Sequence, residues 1–377
     1  MVGGTRLKAY NRLTNYGLRF GCAGSRTSKE LMRIVIDAMG SDHHPGPDVE
    51  GAVLAARELG EQIVLVGDQG VVSTELAKHD TSGLRIDVVH ASEHVTMEDK
   101  PGVVGRAKPD SSMHVGLRLV ADGQADAFVT AGNTGAALSI ATLHTLKRIR
   151  GVHRPALGTV LKLGGHAMIL LDIGANTDTR AEWLAQYGVM GSIYAARALG
   201  VTNPRVALVS NGEEEGKGTT LVQEAAELLR GIGVNFIGNA EPKEVLGGAV
   251  DVAVMDGFTG NVMIKTMEAT GQLIFRLVRQ ELVADLRSKL GGLLVKPAFR
   301  RVYRQVDPFE IGGVPLLGVN GVVIIGHGRS NAHAIKNAIR QARDAVNGGI
   351  VDAIRDGLGR EPIHITAPAN GEETEGR

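Results

Sequence analysis

The chain of 377 residues lacks the features that would cross-link it, anchor it in a membrane or give it a strong charge. Its single cysteine, Cys22, cannot form an intramolecular disulfide or a cysteine-based zinc site, which favours a reducing compartment. Its apolar runs are all shorter than the roughly 20 residues of a transmembrane helix. With 41 basic and 41 acidic residues the formal net charge is zero, so the composition does not predict nucleic-acid binding, which needs a basic surface.

Aromatic residues are also scarce, at 3% of the chain, whereas glycine is frequent with 51 residues. The core of a chain that is 43% hydrophobic must then be built from Val, Ile, Leu and Ala, which are typical of parallel strands buried on both faces. Short apolar runs alternate with helical patterns from residue 33 onward, and this alternation is typical of βαβ units. The sequence therefore predicts an α/β fold with a doubly wound, largely parallel sheet.

Composition divides the chain into three segments. Residues 1–32 carry six basic residues against one acid, Glu30, and lack the apolar region of a secretory signal. They are interpreted either as a basic arm, transit-like or disordered, or as sequence upstream of a true start at Met32. Residues 33–350 are predicted to form the main domain. Residues 351–377 are predicted to be a C-terminal tail, disordered from about residue 367 because Glu and Gly predominate there.

The most informative loop follows the strand predicted at residues 250–255. Asp256 ends the strand, Gly257 and Gly260 allow a turn, and a long helical pattern then carries Asn261 and Lys265. A carboxylate, an amide and an ammonium group are thereby expected at the carboxyl end of a strand and the amino end of a helix. Open α/β sheets bind ligands at that edge, and helix N-termini attract anions. We predict that these five residues belong to an anion-binding catalytic site.

The same pattern of strand, polar loop and helix recurs after other predicted strands. The residues concerned are Asp37 and Asp42 after the first strand, Asn133, Thr134 and Gly135 after 125–130, Asn176 after 167–171, Asn211 and Lys217 after 205–209, and His327 after 322–325. Simple helix capping is the alternative role for Asn133 or Thr134. His327 is equally consistent with a general base and with a structural donor. Together the loops predict a site for phosphate or an oxyanion.

Two ligand classes are not predicted. The acid and amide groups of residues 172–178 lack the spacing of a calcium-binding loop, so no metal is expected. The segment 210–219 departs from a nucleotide-binding P-loop, because only three residues separate Gly212 from Gly216 and a glycine follows Lys217. Those three residues are glutamates, which would repel a triphosphate. Neither a nucleotide nor another cofactor is therefore predicted.

Residues 275–304 differ from the rest because basic and apolar residues alternate there. The contact residues predicted in this segment are Arg287, Lys289, Leu293, Leu294, Lys296, Arg300 and Arg301. Such a mixture is typical of a membrane-surface element or a dock for an acidic partner. The more common alternative is an amphipathic helix packed on its own core. Gly291 and Gly292 predict a break in the helical pattern, and with Pro297 they argue against a long core helix, which favours the interaction element.

Six motifs in this order resemble the bacterial phosphate acyltransferases of phospholipid synthesis, the PlsX family. They are IDAMGSDHHP (36–45), VTAGNTGA (129–136), LDIGANTD (171–178), SNGEEEGKG (210–218), MDGFTGNVMIK (255–265) and IIGHGRSN (324–331). The resemblance extends over nearly the whole chain except residues 1–32 and the tail. The first motif departs from the family's pattern at two positions, because Ser41 stands where glycine is expected and His44 stands where a small residue is expected.

The resemblance implies a fold similar to phosphotransacetylases and isopropylmalate-type dehydrogenases. It implies an acyltransferase that moves a long acyl chain from acyl carrier protein to inorganic phosphate, giving acyl phosphate for a membrane glycerol-3-phosphate acyltransferase. It further implies a cytoplasmic homodimer attached peripherally to the inner face of the cell membrane. No cofactor is implied, because phosphate is itself the nucleophile. The expected roles are phosphate charge balance by Lys217 and Lys265, and hydrogen-bond donation to the oxyanion or to phosphate by Asn261. Asp256 is expected to orient a donor or to accept a proton from monoprotonated phosphate.

Three other functions are alternatives to the long-chain acyltransferase. A short-chain phosphotransacetylase acting on acyl-CoA would share the fold and the reaction type. A nicotinamide-linked decarboxylating dehydrogenase would need a cluster of metal-binding carboxylates and a nucleotide site, and neither is evident in the sequence. A non-catalytic anion-binding protein is disfavoured by the number of polar loops at strand ends.

Overall fold

A computed structural model describes residues 31–358, apart from the side chains of residues 304, 306 and 308. Within this range the chain forms one sheet of eleven strands, flanked by helices. The strands are β1 (Arg33–Asp37), β2 (Gln62–Gly67), β3 (Ile86–His90), β4 (Ala127–Thr130), β5 (Ala156–Leu163), β6 (His166–Leu171), β7 (Val206–Val209), β8 (Phe236–Ala240), β9 (Val252–Val254), β10 (Gly313–Leu317) and β11 (Val322–Gly326).

The helices cover both faces of this sheet. They are α1 (Gly46–Leu59), α2 (Gln69–Leu76), α3 (Pro101–Ala107), α4 (Ser112–Ala121), α5 (Thr134–Ser139), α6 (Ala181–Ala198), α7 (Thr220–Gly231), α8 (Pro242–Leu246), α9 (Gly257–Leu282), α10 (Leu286–Val306), α11 (Pro308–Ile311), α12 (Ala332–Asn347) and α13 (Ile350–Leu358). A π-helical turn, Ile140–His144, follows α5. No helix between residues 31 and 358 combines the length and the apolar character needed to cross a bilayer.

The sheet consists of two parallel halves that run in opposite directions. Its order is β3-β2-β1-β4-β11-β10-β5-β6-β9-β7-β8. Strands β3 to β11 pair in parallel, as do β6 to β8, whereas the pairs β11–β10, β10–β5 and β5–β6 are antiparallel. Three antiparallel pairings reverse the strand direction between the halves. The carboxyl ends of the parallel strands in the two halves therefore do not share one edge of the sheet.

The core lies on both faces of the sheet. Along β1, Ile34 and Ile36 are buried in one apolar cluster and Val35 is buried in the other. Successive strand side chains point to opposite faces, so helices must cover both. Among the described residues, the fully buried large aromatic side chains are Tyr187 and Tyr194 of α6 and Phe128 of β4. The expected core of aliphatic residues is thus present, and the predicted α/β fold with a largely parallel sheet is confirmed.

The antiparallel strands β5 and β10 were not predicted from the sequence. In β10, Pro315 lies in the strand and Gly313 begins it, and both residue types are depleted in strands. The helices α2, α3 and α8 were also missed, because each is short. The helix that Asn133 caps is also short, because its α-helical part ends at Ser139 and continues as the π-helical turn.

The end of the long helix is also placed differently. α9 ends and α10 begins around Asp285, so the break predicted at Gly291 and Gly292 is wrong. The Asp285 carboxylate accepts hydrogen bonds from the backbone N–H groups of Arg287 (2.8 Å) and Ser288 (2.9 Å) and thereby starts α10. The N-cap at Asp285 thus decides the boundary, whereas Gly291 and Gly292 lie inside α10.

The limits of the main domain extend slightly beyond residues 33–350. Met32 is buried, and its backbone N–H donates to the Glu61 carboxylate at 2.9 Å. At the other end, Ile354 and Leu358 of α13 are buried in the core. Residues 351–358 of the expected tail are therefore helical and packed, whereas the other predictions for the extension and the tail fall outside the described residues.

Candidate active site

A cavity of about 600 Å³ lies where the two halves of the sheet meet. Its walls come from the loops after β4, β6 and β11, from the start of β10 and from one face of α9. Seven of the predicted site residues line it, namely Asp42, Asn133, Thr134, Gly135, Asn261, Lys265 and His327. Residues from four separate predicted loops therefore converge on one cavity.

The amino end of α9 is pressed against the loop that follows β6. A Cβ atom on Gly257 would lie 2.5 Å from the carbonyl oxygen of Asn176, and one on Gly260 would overlap the carbonyl oxygen of Asp172. Real Cβ atoms do not approach backbone this closely, so only glycine fits at either position. The two glycines, predicted to bind substrate, are placed here to bring Asn261 to the cavity wall.

Asp256 lies one residue before this helix and is its N-cap. Its carboxylate accepts hydrogen bonds from the backbone N–H of Thr259 (2.9 Å) and from the Thr259 hydroxyl (2.6 Å). It is half-buried and does not line the cavity. Asp256 therefore fixes the start of α9 and, with it, the position of Asn261.

The loop after β6 is organised by Asp172. Its two carboxylate oxygens accept five hydrogen bonds, from the backbone N–H groups of Leu157, Gly174, Ala175 and Asn176 and from the Asn176 side chain, at 2.8–3.1 Å. Burial raises the pKa of Asp172, although these hydrogen bonds lower it in part. The Asn176 amide also donates to the Pro155 carbonyl at 2.8 Å. Both side chains are thus engaged in shaping the loop, and neither faces the cavity.

Asn133 caps α5, as the alternative interpretation held. Its Oδ1 accepts from the backbone N–H of Ala136 at 3.0 Å. Its amide donates to the carbonyl groups of Thr96, Met97 and Asp99 at 3.0–3.3 Å. Because this amide is already used, the groups left for a ligand at this turn are the exposed Thr134 side chain and backbone atoms.

Asp37 lies behind the cavity and is completely buried. Its Oδ1 accepts from the N–H of Met39 at 3.2 Å, and its Oδ2 accepts from the Thr130 hydroxyl at 2.8 Å. Burial raises its pKa, and the hydrogen bonds from Ser112 and Thr130 lower it in part. Asp37 therefore supports the cavity wall without lining it.

Lys217 and Asn211 lie elsewhere. Lys217 is exposed in a second cavity, of about 490 Å³, which shares no lining residue with the first. Its neighbours there include Glu213, Glu215 and Arg230. The Asn211 side chain accepts from the backbone N–H of Gly218 at 3.0 Å and folds the loop. Within one chain, Lys217 and Lys265 therefore line separate cavities.

Three polar side chains that line the first cavity lie on α9. Among the described residues, the side chains of Asn261 and Lys265 have no hydrogen-bond or ion-pair partner. Glu268 lines the cavity on the same helix face and was missed by the sequence analysis. The spacing of 261, 265 and 268 places all three side chains on one helical stripe, which was the signal that identifies Glu268. Groups of three or more potential metal ligands are absent from residues 31–358.

Comparison with known sequences gives extensive similarity. The chain matches the family described as "Fatty acid synthesis protein" over residues 32–352. A phosphate acyltransferase of Trichlorobacter lovleyi is 44% identical over 327 residues, which are 87% of this chain and 94% of that protein. A phosphate acyltransferase of Anaeromyxobacter dehalogenans is 46% identical over 347 residues, 92% of this chain and 96% of that protein.

Comparison with solved structures gives more distant similarity. A phosphotransacetylase from Streptococcus pyogenes has a TM-score of 0.54 at 18% identity, over 83% of this chain and 94% of that chain. A branched-chain phosphotransacylase from Enterococcus faecalis V583 has a TM-score of 0.52 at 14% identity, over 84% of this chain and 99% of that chain. At such low identity these structures show a shared fold and nothing more.

Proposed function

Because the chain belongs to the phosphate acyltransferase family of fatty acid and phospholipid synthesis, and is therefore a transferase, we propose that it transfers a long-chain fatty acyl group from acyl carrier protein to inorganic phosphate. The products are an acyl phosphate and the free thiol of the carrier protein. The acyl phosphate is a substrate for a membrane glycerol-3-phosphate acyltransferase. No cofactor takes part in this scheme.

The observation that carries the proposal is the placement of Asn261 and Lys265. Both side chains lie in the cavity without a partner among the described residues, one helical turn apart and across from the loops 132–135 and 326–328. Lys265 is the only Lys or Arg that lines this cavity within the part of the chain described. It is accordingly the residue assigned to hold the phosphate dianion.

The reaction needs no protein nucleophile. A phosphate oxygen attacks the thioester carbonyl, a tetrahedral oxyanion forms, and the carbon–sulfur bond then breaks to release the thiolate. A thiol with a pKa near ~8.5 is a good leaving group. The Asn261 amide is assigned as donor to the oxyanion, a role worth about 3–4 kcal/mol in comparable sites. His327, exposed at the cavity edge, is assigned to take the proton of monoprotonated phosphate or return it to the thiolate.

The surface assigned to the carrier protein and to lipid is the α9–α10 hairpin. Leu286, Leu293 and Leu294 are 75%, 67% and 84% exposed. The basic side chains of residues 287, 289, 296, 300 and 301 are exposed, with no ion-pair partner among the described residues. Exposed leucines among basic groups favour contact with an acidic protein and with anionic lipid. The proposal also places the protein at the cytoplasmic face of the membrane, as a homodimer. Sedimentation of the purified chain tests for the dimer.

The deciding experiment measures thiol release from palmitoyl–acyl carrier protein by the purified protein, with and without inorganic phosphate. We expect release only with phosphate, together with a product that hydroxylamine traps as the hydroxamate. Release from acetyl-CoA and not from the palmitoyl donor would contradict the proposal and favour a short-chain phosphotransacetylase.

A further inference from the structure

A third cavity, of about 180 Å³, adjoins the first along α9. The two share the lining residues Thr159, Ile264, Glu268 and Ile311. Beyond these, the third cavity is lined mainly by apolar side chains. We refer to it as the α9 groove. It extends away from Lys265 toward the α9–α10 hairpin, so a polar cavity and an apolar groove lie next to each other along the helix.

Two regular elements form its long walls. On β5, Thr159, Leu161 and Leu163 alternate and therefore face the same side of the strand. On α9, residues 264, 267, 271 and 275 recur at intervals of three and four and therefore form one stripe. The groove is thus straight and follows the helix axis.

The far end of the groove is bounded by an aromatic pair. The rings of Phe275 and Tyr303 meet edge to face, with centroids 5.1 Å apart and planes at 78°. Next to Tyr303, the side chain of Gln305 accepts a hydrogen bond from the backbone N–H of Gly164 at 3.2 Å. This bond ties the end of α10 to the turn between β5 and β6, and so fixes the wall that carries Tyr303.

The length of the groove matches a long hydrocarbon chain. At about 1.5 Å per residue, the helix from Lys265 to Phe275 is about 15 Å long. The hydrocarbon core of a bilayer is about 30 Å thick, so the acyl chains of one leaflet also extend about 15 Å. A long fatty acyl chain whose carbonyl group lies near Lys265 would therefore end at the aromatic pair.

We propose that the α9 groove holds the fatty acyl chain of the substrate and that Phe275 and Tyr303 limit its length. The proposal rests on the proposed function, because it takes the thioester to lie between Asn261 and Lys265. It adds the apolar subsite and the residues that select chain length.

Gly271 offers a way to close the groove without disturbing the fold. It lines the groove, and a Cβ atom there would meet no atom within 4 Å. Glycine is also an unfavourable residue inside a helix, so Gly271→Leu should not weaken α9. Gly231→Leu is the matched control, since Gly231 lies at the exposed end of α7 and has equally open surroundings.

The test compares palmitoyl–acyl carrier protein with hexanoyl–acyl carrier protein as donors for both variants. Gly271 lies about 9 Å along the helix from Lys265, so the leucine should obstruct the palmitoyl chain and spare the hexanoyl chain. We expect Gly271→Leu to lower kcat/KM for the palmitoyl donor by at least about tenfold, because each methylene excluded from apolar contact costs about fourfold. The hexanoyl value and both values for Gly231→Leu should change by less than about twofold. Equal effects on the two donors, or no effect, would overturn the proposal.

Binding of cis-parinaric acid, followed by its fluorescence, tests the groove without any turnover. The wild-type chain and Gly231→Leu should bind it, and Gly271→Leu should not. If wild-type protein turned over neither donor but bound this fatty acid in that pattern, the proposed reaction would fail and the groove would stand. Binding that is unaffected by Gly271→Leu would reject the groove. Phe275→Ala should in addition raise the rate with an arachidoyl donor relative to palmitoyl, and an unchanged ratio would refute the limit set by the aromatic pair.

Discussion

The Thr130 hydroxyl donates a 2.8 Å hydrogen bond to the buried carboxylate of Asp37, and thereby links the ends of two neighbouring strands, β1 and β4. The same hydroxyl oxygen accepts a hydrogen bond from the backbone N–H of Gly132 at 2.9 Å. One side chain thus holds the loop after β4 against the loop after β1. The wall of the cavity that contains Thr134 depends on a pair of residues that no ligand needs to touch.

Thr130→Val should test this support. Valine keeps the shape but leaves the buried Asp37 carboxylate and the Gly132 N–H without that partner. We expect the free energy of unfolding to fall by about 1–3 kcal/mol and the KM for phosphate to rise, both measurable by urea denaturation and steady-state kinetics. Thr74→Val, on the exposed surface of α2, is the control and should change neither quantity. Unchanged stability and KM in Thr130→Val would show that the link is dispensable.

Asn261→Ala should act on kcat. An oxyanion donor acts in the transition state, so its loss should lower kcat by about 100- to 1,000-fold with little change in KM for phosphate. Phosphate-dependent thiol release is the measurement. Thr270→Ala, exposed on the same helix, should retain wild-type kinetics. Full turnover by a folded Asn261→Ala variant would remove Asn261 from the assigned role.

The two lysines predicted to bind phosphate should behave differently. Lys265 lines the central cavity and Lys217 lines a separate one. A charge-assisted hydrogen bond is worth about 1.5–3 kcal/mol, so Lys265→Ala should raise the KM for phosphate by about 10- to 100-fold. Lys217→Ala should leave that KM within about twofold if each cavity acts within its own chain. The reverse result would place the phosphate in the second cavity.

Asp48 should make the stability of the protein depend on pH. It is buried in α1, and desolvation raises its pKa well above the ordinary value of 3.8, although the Ser41 hydroxyl donates to it at 2.5 Å. A raised pKa means that the folded state binds the proton more tightly than the unfolded state. This contribution to stability is complete below pH 3.8 and is lost as the pH rises through the folded-state pKa.

Asp48→Asn should remove the loss of stability that Asp48 causes as the pH rises. The free energy of unfolding of the variant, relative to wild type, should therefore rise between pH 4 and pH 7, as measured by urea denaturation at a series of pH values. Asp122→Asn serves as the control, because Asp122 is exposed in the folded chain as in the unfolded chain. A constant difference between Asp48→Asn and wild type over this range would contradict the prediction.

Charge reversal on α10 should separate the interaction surface from the chemistry. Arg300→Glu with Arg301→Glu should weaken binding to vesicles of anionic lipid and raise the KM for acyl carrier protein, while kcat with saturating donor stays near wild type. Arg85→Glu with Arg150→Glu makes the same change in net charge at exposed positions elsewhere. If both double variants lost vesicle binding and carrier-protein affinity equally, the effect would be one of general charge. If neither variant lost them, this surface would be rejected.

The alternation of apolar runs and helical patterns was sufficient to predict the class of fold. The spacing of apolar residues along the chain reflects which side chains are buried locally. The parallel strands have the same local burial, so this spacing identifies them. The opposite direction of the two halves was not predictable, because it depends on β5 and β10. Pro315 and Gly313 make β10 unlike an ordinary strand, and its pairing joins residues distant in sequence.

The site was predicted in part for a related reason. Asn261 and Lys265 were identified because a helix directly follows a strand, and local sequence is enough to place them. Residues whose side chains face inward, such as Asp37 and Asn176, look the same in the sequence as residues that face a ligand. Only the fold distinguishes an acid that supports a loop from one that lines a cavity. Lys217 illustrates the same limit, since polar loops after different strands need not meet.

The single helix α9 carries both the polar side chains of the cavity and the start of the exposed hairpin. Its first turn is locked against the neighbouring loop by Gly257 and Gly260, so the helix has no freedom to slide or rotate at that end. Each residue of an α-helix turns the chain by about 100°. A one-residue insertion after Lys265 would leave Asn261 in place. It would rotate the groove-lining residues of α9 and the α9–α10 hairpin around the helix axis. The number of residues between Lys265 and Phe275 is therefore constrained as strictly as their identities, and length variation within this family should be confined to segments outside it.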